Sequence, residues 1–423
     1  MIDITIIREQ TERVKTACAA KNSKVDIDEI LRLDGRKREV QGKLDELNRL
    51  RNVAAQEKNI EQGKALKAES ALLEPELTVL EETLKGLLWK VPNMPSEDTP
   101  VGKDESENVV LRQWGTRPEF AFKAKDHETL GVALGIINKE SASKVSGARF
   151  AYMLGGLVLL EQAMVQYTLS VLTDELALKS IAEKAGINVK PTPFIPVMPP
   201  MMIKPDVFEK MARLHPTDER YHLPSDDVYL IGSAEHTLGP LHMDETFKEE
   251  DLPRRYAAFT PAFRREAGSY GKDTHGLLRL HQFQKLEMES FTTAEQGILE
   301  QDFFVAIEEH INQQLGLAYQ VVMTCTGDQG DPDARHIDIE TWMPGEGKYR
   351  ETHSADYMTD YQSRRLNTKV KVDGKNQLVH MNDATAFAGR TLVAILENYQ
   401  QEDGSVMVPE VLRPFMGGRT VIK

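Results

Sequence analysis

The segment AFRREAGSYGKDTHGLLRLHQFQKLEMESF, Ala262 to Phe291, holds the residues best suited to chemistry. It reads as a β-hairpin. Arg264 and Glu266 stand two apart and so share one face of a strand, after which the Gly-rich AGSYGKDTHG must be the connecting loop. On the return strand the odd positions are Arg279, His281, Phe283, Lys285 and Glu287, while Leu278, Leu280, Leu286 and Met288 fall on even ones. One face packs on a core; the other lines up charges around an aromatic ring. That second face suits a nucleotide joined to an amino acid. A ring stacks a base, arginines clamp phosphates through forked, charge-assisted hydrogen bonds, and Glu287 complements an ammonium group. Phe283 would stand about 13 Å from both Arg279 and Glu287 at roughly 3.3 Å per residue, enough to read an adenine, its phosphates and a small amino acid in line. An exposed, salt-bridged ladder would show the same alternation. GKDT is no P-loop, because Glu266 stands five before Gly271 and Asp273 follows Lys272.

A second piece is GRTLVAILENYQQEDGSVMVPEVLRPF from Gly389, where Leu392, Leu396 and Tyr399 mark a buried helix face and Arg390 falls in the first turn. Helix N-termini attract anions, so an arginine there can hold a terminal phosphate, although a surface arginine is the plainer reading of this feature alone. His236, His242, His275 and His281 invite a zinc reading. With no thiolate beside them, ordinary polar roles are expected instead.

These groups need a frame. From Val25 to Lys90 the chain is rich in Leu, Glu, Lys and Arg, with apolar residues at Val40, Leu44 and Leu47 and again at Leu66, Leu73, Leu77, Leu80, Leu84 and Leu87. The spacings of three, four and seven are those of a helix seam, so the segment is expected to form two long antiparallel helices turning at Gly63. Pro75 predicts a kink or a displaced helix start. Between Arg32 and Lys58 eight bases stand against five acids, a local +3 in a chain whose net charge is -14. On charge alone this is a solvated face of paired residues; it also leaves one place where a polyanion could dock. VPNMPSEDTPVGKDESEN ends the hairpin and sets a boundary near Pro92 to Asn108. Beyond it strand-like, helix-like and Pro-rich pieces alternate, including KPTPFIPVMPP at Lys190 to Pro200, as in one large α/β domain.

The length, 423 residues, predicts two or three domains, and 40% hydrophobic with 28% charged residues is an ordinary globular composition. Cys18 and Cys325 are too few for a disulfide framework and fit a reducing cytoplasm. The apolar run YMLGGLVLL is far short of the roughly 20 residues that span a bilayer, so no membrane association is expected. The opening MIDITIIREQTERVK carries neither the basic nor the apolar region of a signal peptide.

Taken in order, MIDITIIREQ, the helical arm, PVGKDESEN, SGARF, the FRREAG hairpin, DYQSRR and ENYQQEDGSVMVPEVLRPF closely resemble the seryl-tRNA synthetases, a class II aminoacyl-tRNA synthetase family, over nearly the whole length. The resemblance implies an α+β fold. Residues 1–108 would be a tRNA-binding domain with a coiled-coil arm at about 26–90, and 109–423 a catalytic domain of antiparallel sheet flanked by helices. A homodimer would assemble through a first motif around Pro199 and Pro200. Residue by residue, Arg264 matches the arginine on the α-phosphate and the serine carboxylate, Glu266 the acid beside ATP, Arg279 the contact to the outer phosphates and Phe283 the ring on adenine. Glu351 and Ser354 match the ATP and Mg²⁺ positions, and Arg390 the motif 3 arginine on the γ-phosphate. The catalytic set is thus Arg264, Glu266 and Arg390. For serine, the Thr-x-Glu element is Ser233-Ala234-Glu235, and Glu287 matches the acid that helps to bind the amino acid.

Two segments depart from the family pattern. Ser-Cys-Ser-Asn becomes Ser354-Ala355-Asp356-Tyr357, and the serine-hydroxyl element is rewritten in HMNDATAFAGR. If Thr385 reads the hydroxyl, one residue is missing before Arg390 and Asp383 replaces the Asn; without a gap, Ala384 takes that place. The implied function is ATP-dependent activation of L-serine and its transfer to the 3′ end of serine tRNA, with ATP and Mg²⁺, and whether selenocysteine tRNA is also charged stays open. The rivals are an amino-acid ligase that charges a non-tRNA carrier and an inactive RNA-binding paralogue.

Overall fold

The structure, a computed structural model, describes residues 1–267 and 276–423 and divides the chain into two compact units, Met1–Met94 and Pro95–Lys423. In the first unit two short helices, Ile4–Glu9 and Thr11–Ala20, precede the long helices α1 (Ile27–Gln56) and α2 (Ile60–Leu88). Asp26 caps α1 by accepting from Glu29 N at 3.0 Å, and Asn59 caps α2 by accepting from Gln62 N at 3.1 Å. The expected seam forms. Val40, Leu44, Leu47, Leu80 and Leu84 are buried, and Leu66, Leu73, Leu77 and Leu87 are half-buried. Two expectations need correction. The turn falls at residues 57–59, where Lys58 takes a positive φ of 57°, so Gly63 lies inside α2. Pro75 does not end the helix: it faces outward, while Arg36 and Lys37 of α1 pair with Glu76 at 2.6 Å and Glu81 at 3.0 Å on either turn beyond it.

The expected domain boundary at 108 lies fourteen residues (108 less 94) beyond the observed division. The reason is hydrogen bonding across the second unit. Ser96 N donates to Ala334 O at 2.8 Å, Thr326 N to Pro100 O at 2.9 Å, and Asn108 Oδ1 accepts from Cys325 N at 2.9 Å. The PVGKDESEN segment is therefore lashed to the CTGD turn of residues 325–328.

The second unit is built on an eight-stranded sheet. Its strands are β1 (Val109–Trp114), β2 (Ile195–Pro196), β3 (Arg254–Phe263), β4 (Gln282–Thr292), β5 (Tyr319–Met323), β6 (Arg335–Met343), β7 (Lys348–Tyr357) and β8 (His380–Ala388). They lie in the order β1-β5-β6-β7-β8-β4-β3-β2, and every neighbouring pair is antiparallel except β3 with the short β2. The α/β reading of the alternating pieces thus gives way to the antiparallel sheet. Helices α3 (Gly156–Leu172), α4 (Gly297–Gln314) and α5 (Gly389–Asn398) bury Leu160, Met164, Phe303, Phe304, Ile307, Leu392 and Leu396 with Leu286 and Met288 of β4 in one core. Arg255 of β3 and Glu300 of α4, both fully buried, pair at 2.6 and 2.7 Å and tie sheet to helix. Among the described residues no helix is long and apolar enough to cross a membrane.

Candidate active site

The strands that carry charge on one face surround a cavity of about 420 Å³. Arg264 and Glu266 follow β3, Phe283 and Lys285 project from β4, and His336 and Asp338 from β6. Glu351, Ser354 and Asp356 come from β7, Asp383 and Thr385 from β8, and Arg390 from the first turn of α5. Arg279 and Glu235 also line it, whereas Ser233 and Glu287 stand behind the wall and His281 does not line it.

The hairpin differs from its expected form. β3 ends at Phe263, because Arg264 N still bonds His281 O at 3.0 Å but Arg265 N turns aside to Glu219 O at 3.1 Å. Glu266 takes a left-handed φ of 54°, so Arg264 and Glu266 do not share a strand face. The return strand starts at Gln282, and Arg279 and His281 precede it. The charges still converge. Arg279 pairs with Glu266, and Arg149 of the SGARF segment donates to Glu266 O at 3.2 Å. Arg264 Nε donates to Gly232 O at 3.1 Å, with its guanidinium 5.4 Å from the centre of the Phe283 ring. Arg390 donates to Glu351 Oε2 at 2.9 Å and to Leu278 O at 3.3 Å. Glu351 is half exposed; partial desolvation in the cavity opposes its charge, but Arg390 outweighs it and holds the carboxyl below its usual range. Ala388, at the N-cap of α5, supplies no side-chain bond to the first turn, whose N–H groups are the kind that take an anion. The loop with GKDT and His275 lies at 268–275, outside the described residues.

At the other end, Ser233 Oγ donates to Glu287 Oε2 at 3.0 Å, and Lys285 Nζ stands 2.5 Å from the same oxygen. Burial pushes the Glu287 carboxyl up to about 7 against the pull of Lys285. Thr385 Oγ1 lies 3.1 Å from Ser354 Oγ, and Thr385 faces Glu287 across the β4–β8 ladder. Ala386 is bulged out of that ladder, since Leu286 pairs with Phe387 and Glu287 with Thr385. The bulge sets Thr385 opposite Glu287.

Sequence reasoning missed the centre of this wall. Arg213 reaches Glu235 at 3.2 Å, Asp333 at 3.1 Å, Asp356 at 3.3 Å and Asp383 at 3.8 Å. Burial opposes its charge, yet the surrounding carboxylates raise its pKa well above the usual value. His336 was missed too. Its Nδ1 pairs with Asp356 and its Nε2 with Asp338 at 2.9 Å, so burial is outweighed and the ring holds its proton well above the ordinary range. Asp333, His336 and Asp356 stand close together, and the two carboxylates on the His336 ring favour its protonated form. The other histidines are polar and structural: His236 accepts from Gly232 N at 3.1 Å, His242 lies 2.7 Å from both Glu245 and the Tyr256 hydroxyl, and His281 Nδ1 lies 3.0 Å from Arg264 O.

A magnesium ion bound with a nucleotide takes oxygen ligands, one or two from carboxylates and the rest from phosphates and water. Glu351 and Ser354, with Asp338 beside them on the cavity wall, present that all-oxygen chemistry and so fit such an ion.

Two family models match the chain: the seryl-tRNA synthetase N-terminal domain over residues 1–95, and the class II core domain of the synthetases for G, H, P, S and T over 220–399. Serine–tRNA ligase of Thermotoga neapolitana is 42% identical over 99% of this chain and 99% of its own length, and that of Fervidobacterium nodosum 40% identical over 99% and 98%. Among solved structures, seryl-tRNA synthetase of Pyrococcus horikoshii complexed with ATP superposes with a TM-score of 0.91 at 34% identity, covering 100% of this chain and 99% of that one. Cytoplasmic serine–tRNA ligase of Naegleria fowleri in complex with AMP gives 0.87 at 30% identity, covering 100% and 99%. Relatives at this identity cover nearly the whole chain, helical arm and charged cavity alike, and the chain therefore belongs to the seryl-tRNA synthetase family of class II aminoacyl-tRNA synthetases.

Proposed function

We propose that the cavity performs the family's two steps, activating L-serine with ATP and passing it to the 3′ end of serine tRNA, with the residues in the roles their positions suggest. The observation that carries this reading is the convergence of Arg264, Glu266, Arg279, Phe283, Glu351 and Arg390 around one cavity whose inner wall holds Glu235, Thr385 and, behind it, Ser233 and Glu287. Phe283 stacks the adenine, Arg279 and Arg390 take the outer phosphates, and Glu266 lies beside the nucleotide. Arg264 bridges the α-phosphate and the serine carboxylate. A carboxylate oxygen then forms its bond to the α-phosphorus as the bond to pyrophosphate breaks. Forked arginines preset around the developing charge lower the barrier, and alignment of two bound reactants supplies roughly 7 to 11 kcal/mol more. Glu351 and Ser354 would hold Mg²⁺, which supplies charge neutralisation at the phosphates. In the second step the terminal ribose hydroxyl bonds to the seryl carbonyl and AMP leaves. No side-chain nucleophile is needed.

Residues 1–94, with the arm, are assigned to tRNA. A homodimer is inferred for the second unit, which exposes Val109, Val110, Leu111 and Trp114 on edge strand β1 and Met198, Met201 and Met202 beside Pro199 and Pro200. The reading suits a reducing cytoplasm, since Cys18 and Cys325 are both buried free thiols. Pyrophosphate exchange across the twenty amino acids tests it, with serine expected to stand alone. A charging assay with serine tRNA then separates this reading from a ligase for another carrier, which would exchange pyrophosphate and leave tRNA uncharged.

A further inference from the structure

The serine end of the cavity holds a third carboxylate that the assigned roles do not use. One oxygen each of Glu235, Glu287 and Asp383 lies within 4.8 Å of the other two, and all three residues are buried. Glu287 Oε1 and Asp383 Oδ2 have no hydrogen-bond partner, and Asp383, 3% exposed, faces the cavity. Among the described residues the cation paired with it is Arg213, 3.8 Å away and closer to Glu235, Asp333 and Asp356.

An alkylammonium group offers three N–H donors in a tetrahedral array. With N···O distances of about 2.8 Å, its three acceptors stand about 4.6 Å apart. The carboxylate trio, its oxygens within 4.8 Å of one another, is close enough for one ammonium group to reach all three. A hydroxyl, with one proton to donate, would leave two of the three acceptors unanswered. A divalent cation is the other ligand such a trio suits, but with Lys285 at 2.5 Å from Glu287 and Arg213 at 3.2 Å from Glu235 the negative charge left over balances a single positive charge better than a double one. We propose that Asp383 joins Glu235 and Glu287 as the third leg of a tripod for the substrate's α-ammonium group. It thus anchors what all amino acids share, and the hydroxyl is left to Thr385, which faces Glu287 across the β4–β8 ladder. The inference rests on the assignment of this cavity to serine activation.

The test is pyrophosphate exchange with L-serine and L-alanine in the parent, Asp383→Asn, Asp383→Glu and Thr385→Val, together with inhibition by L-glycerate, which carries a hydroxyl where serine carries its ammonium. Losing one charged hydrogen bond typically weakens binding about 10- to 100-fold. Asp383→Asn is expected to raise KM for both amino acids by that factor, with their kcat/KM ratio kept and glycerate inhibition undiminished. Asp383→Glu should recover part of the loss, and Thr385→Val should narrow the ratio instead. If Asp383→Asn collapses the serine-to-alanine ratio while alanine is untouched, the carboxylate reads the hydroxyl and the tripod is wrong. Unchanged KM values, or loss of glycerate inhibition in step with serine, also overturn it. A parent without serine-dependent exchange would instead sink the reading of the cavity as a whole.

Discussion

Arg264 is half-buried and fixed from behind by its bond to Gly232 O, so its removal takes a charge from the cavity without opening the core. Loss of one preorganised donor at a developing charge costs about 100- to 1000-fold in rate. Arg264→Ala should therefore lose that much pyrophosphate exchange with its thermal unfolding unchanged; exchange within a few-fold of the parent would remove Arg264 from the chemistry. Glu287 adds a pH dependence. Facing Lys285, Ser233 and Glu235, its carboxyl is raised to about 7 by burial, and only the ionised form answers an ammonium. The ionised fraction grows with pH, so kcat/KM for serine should climb at least about tenfold from pH 6 to 8 through Glu287, and Asp383, whose carboxyl burial and Glu235 raise well above its usual range, should add to the rise. Glu287→Gln should flatten that rise, and a parent profile already flat would place the titration elsewhere. Phe283, Lys285 and Glu287 were legible because two-residue spacing sets them on one strand face, whereas Glu351, Ser354, Ser233, Glu235 and Thr385 came only through the family resemblance. Arg213 was not: Asp333 and Asp356 lie 120 and 143 residues away, and a lone arginine in MARLHP has no periodicity to reveal its partners.

Elements were legible where burial imposes a period and obscure where a local bond breaks it. The seam of α1 and α2 and the greasy face of β4 follow from spacing, since Leu286 and Met288 must reach the core. The displaced start expected at Pro75 does not occur, because Leu73, Leu77 and Leu80 on either side of it pack into the seam. The end of β3 depends on one amide, Arg265 N, choosing Glu219 O, and no local pattern encodes that choice. The Arg255–Glu300 pair tests how the sheet is held to α4. Both groups are fully buried, and removing one partner strands a charge, at a cost of about 3–5 kcal/mol. Glu300→Ala should show that loss in denaturant unfolding of the second unit, whereas the double change Arg255→Met with Glu300→Leu should recover most of it. Equal losses in the two variants would mean that packing, not the stranded charge, sets the cost.

The charge of the whole molecule is divided by unit. Residues 1–94 contain 17 acids and 17 bases, so their net charge is zero; the second unit holds the remaining 35 bases and 49 acids, and 35 less 49 gives the entire -14. A polyanion is thus repelled by one unit and tolerated by the other, whose arm carries the locally basic stretch from Arg32 to Lys58. Many of those bases are paired with neighbouring acids, Arg32 with Glu29 at 2.6 Å and Arg49 with Glu46 at 2.7 Å among them. Exposed pairs of this kind are worth only about 0–1 kcal/mol, so phosphates can replace the acids at little cost. The arm can be shortened without touching its base, because Ile30, Leu33 and Val40 pack with Leu80 and Leu84 in the unit's core. Removal of residues 45–71, resealed with a short Gly-rich turn, should leave serine-dependent pyrophosphate exchange within about twofold of the parent. Charging of serine tRNA should fall by at least about 100-fold, through weaker tRNA binding. In the intact protein, raising salt from 50 to 200 mM should weaken tRNA binding on the order of tenfold or more while KM for serine holds, as release of phosphate counterions requires. Undiminished charging by the shortened protein would assign tRNA to another surface, and equal loss of both steps would mean that the outer arm supports the catalytic unit.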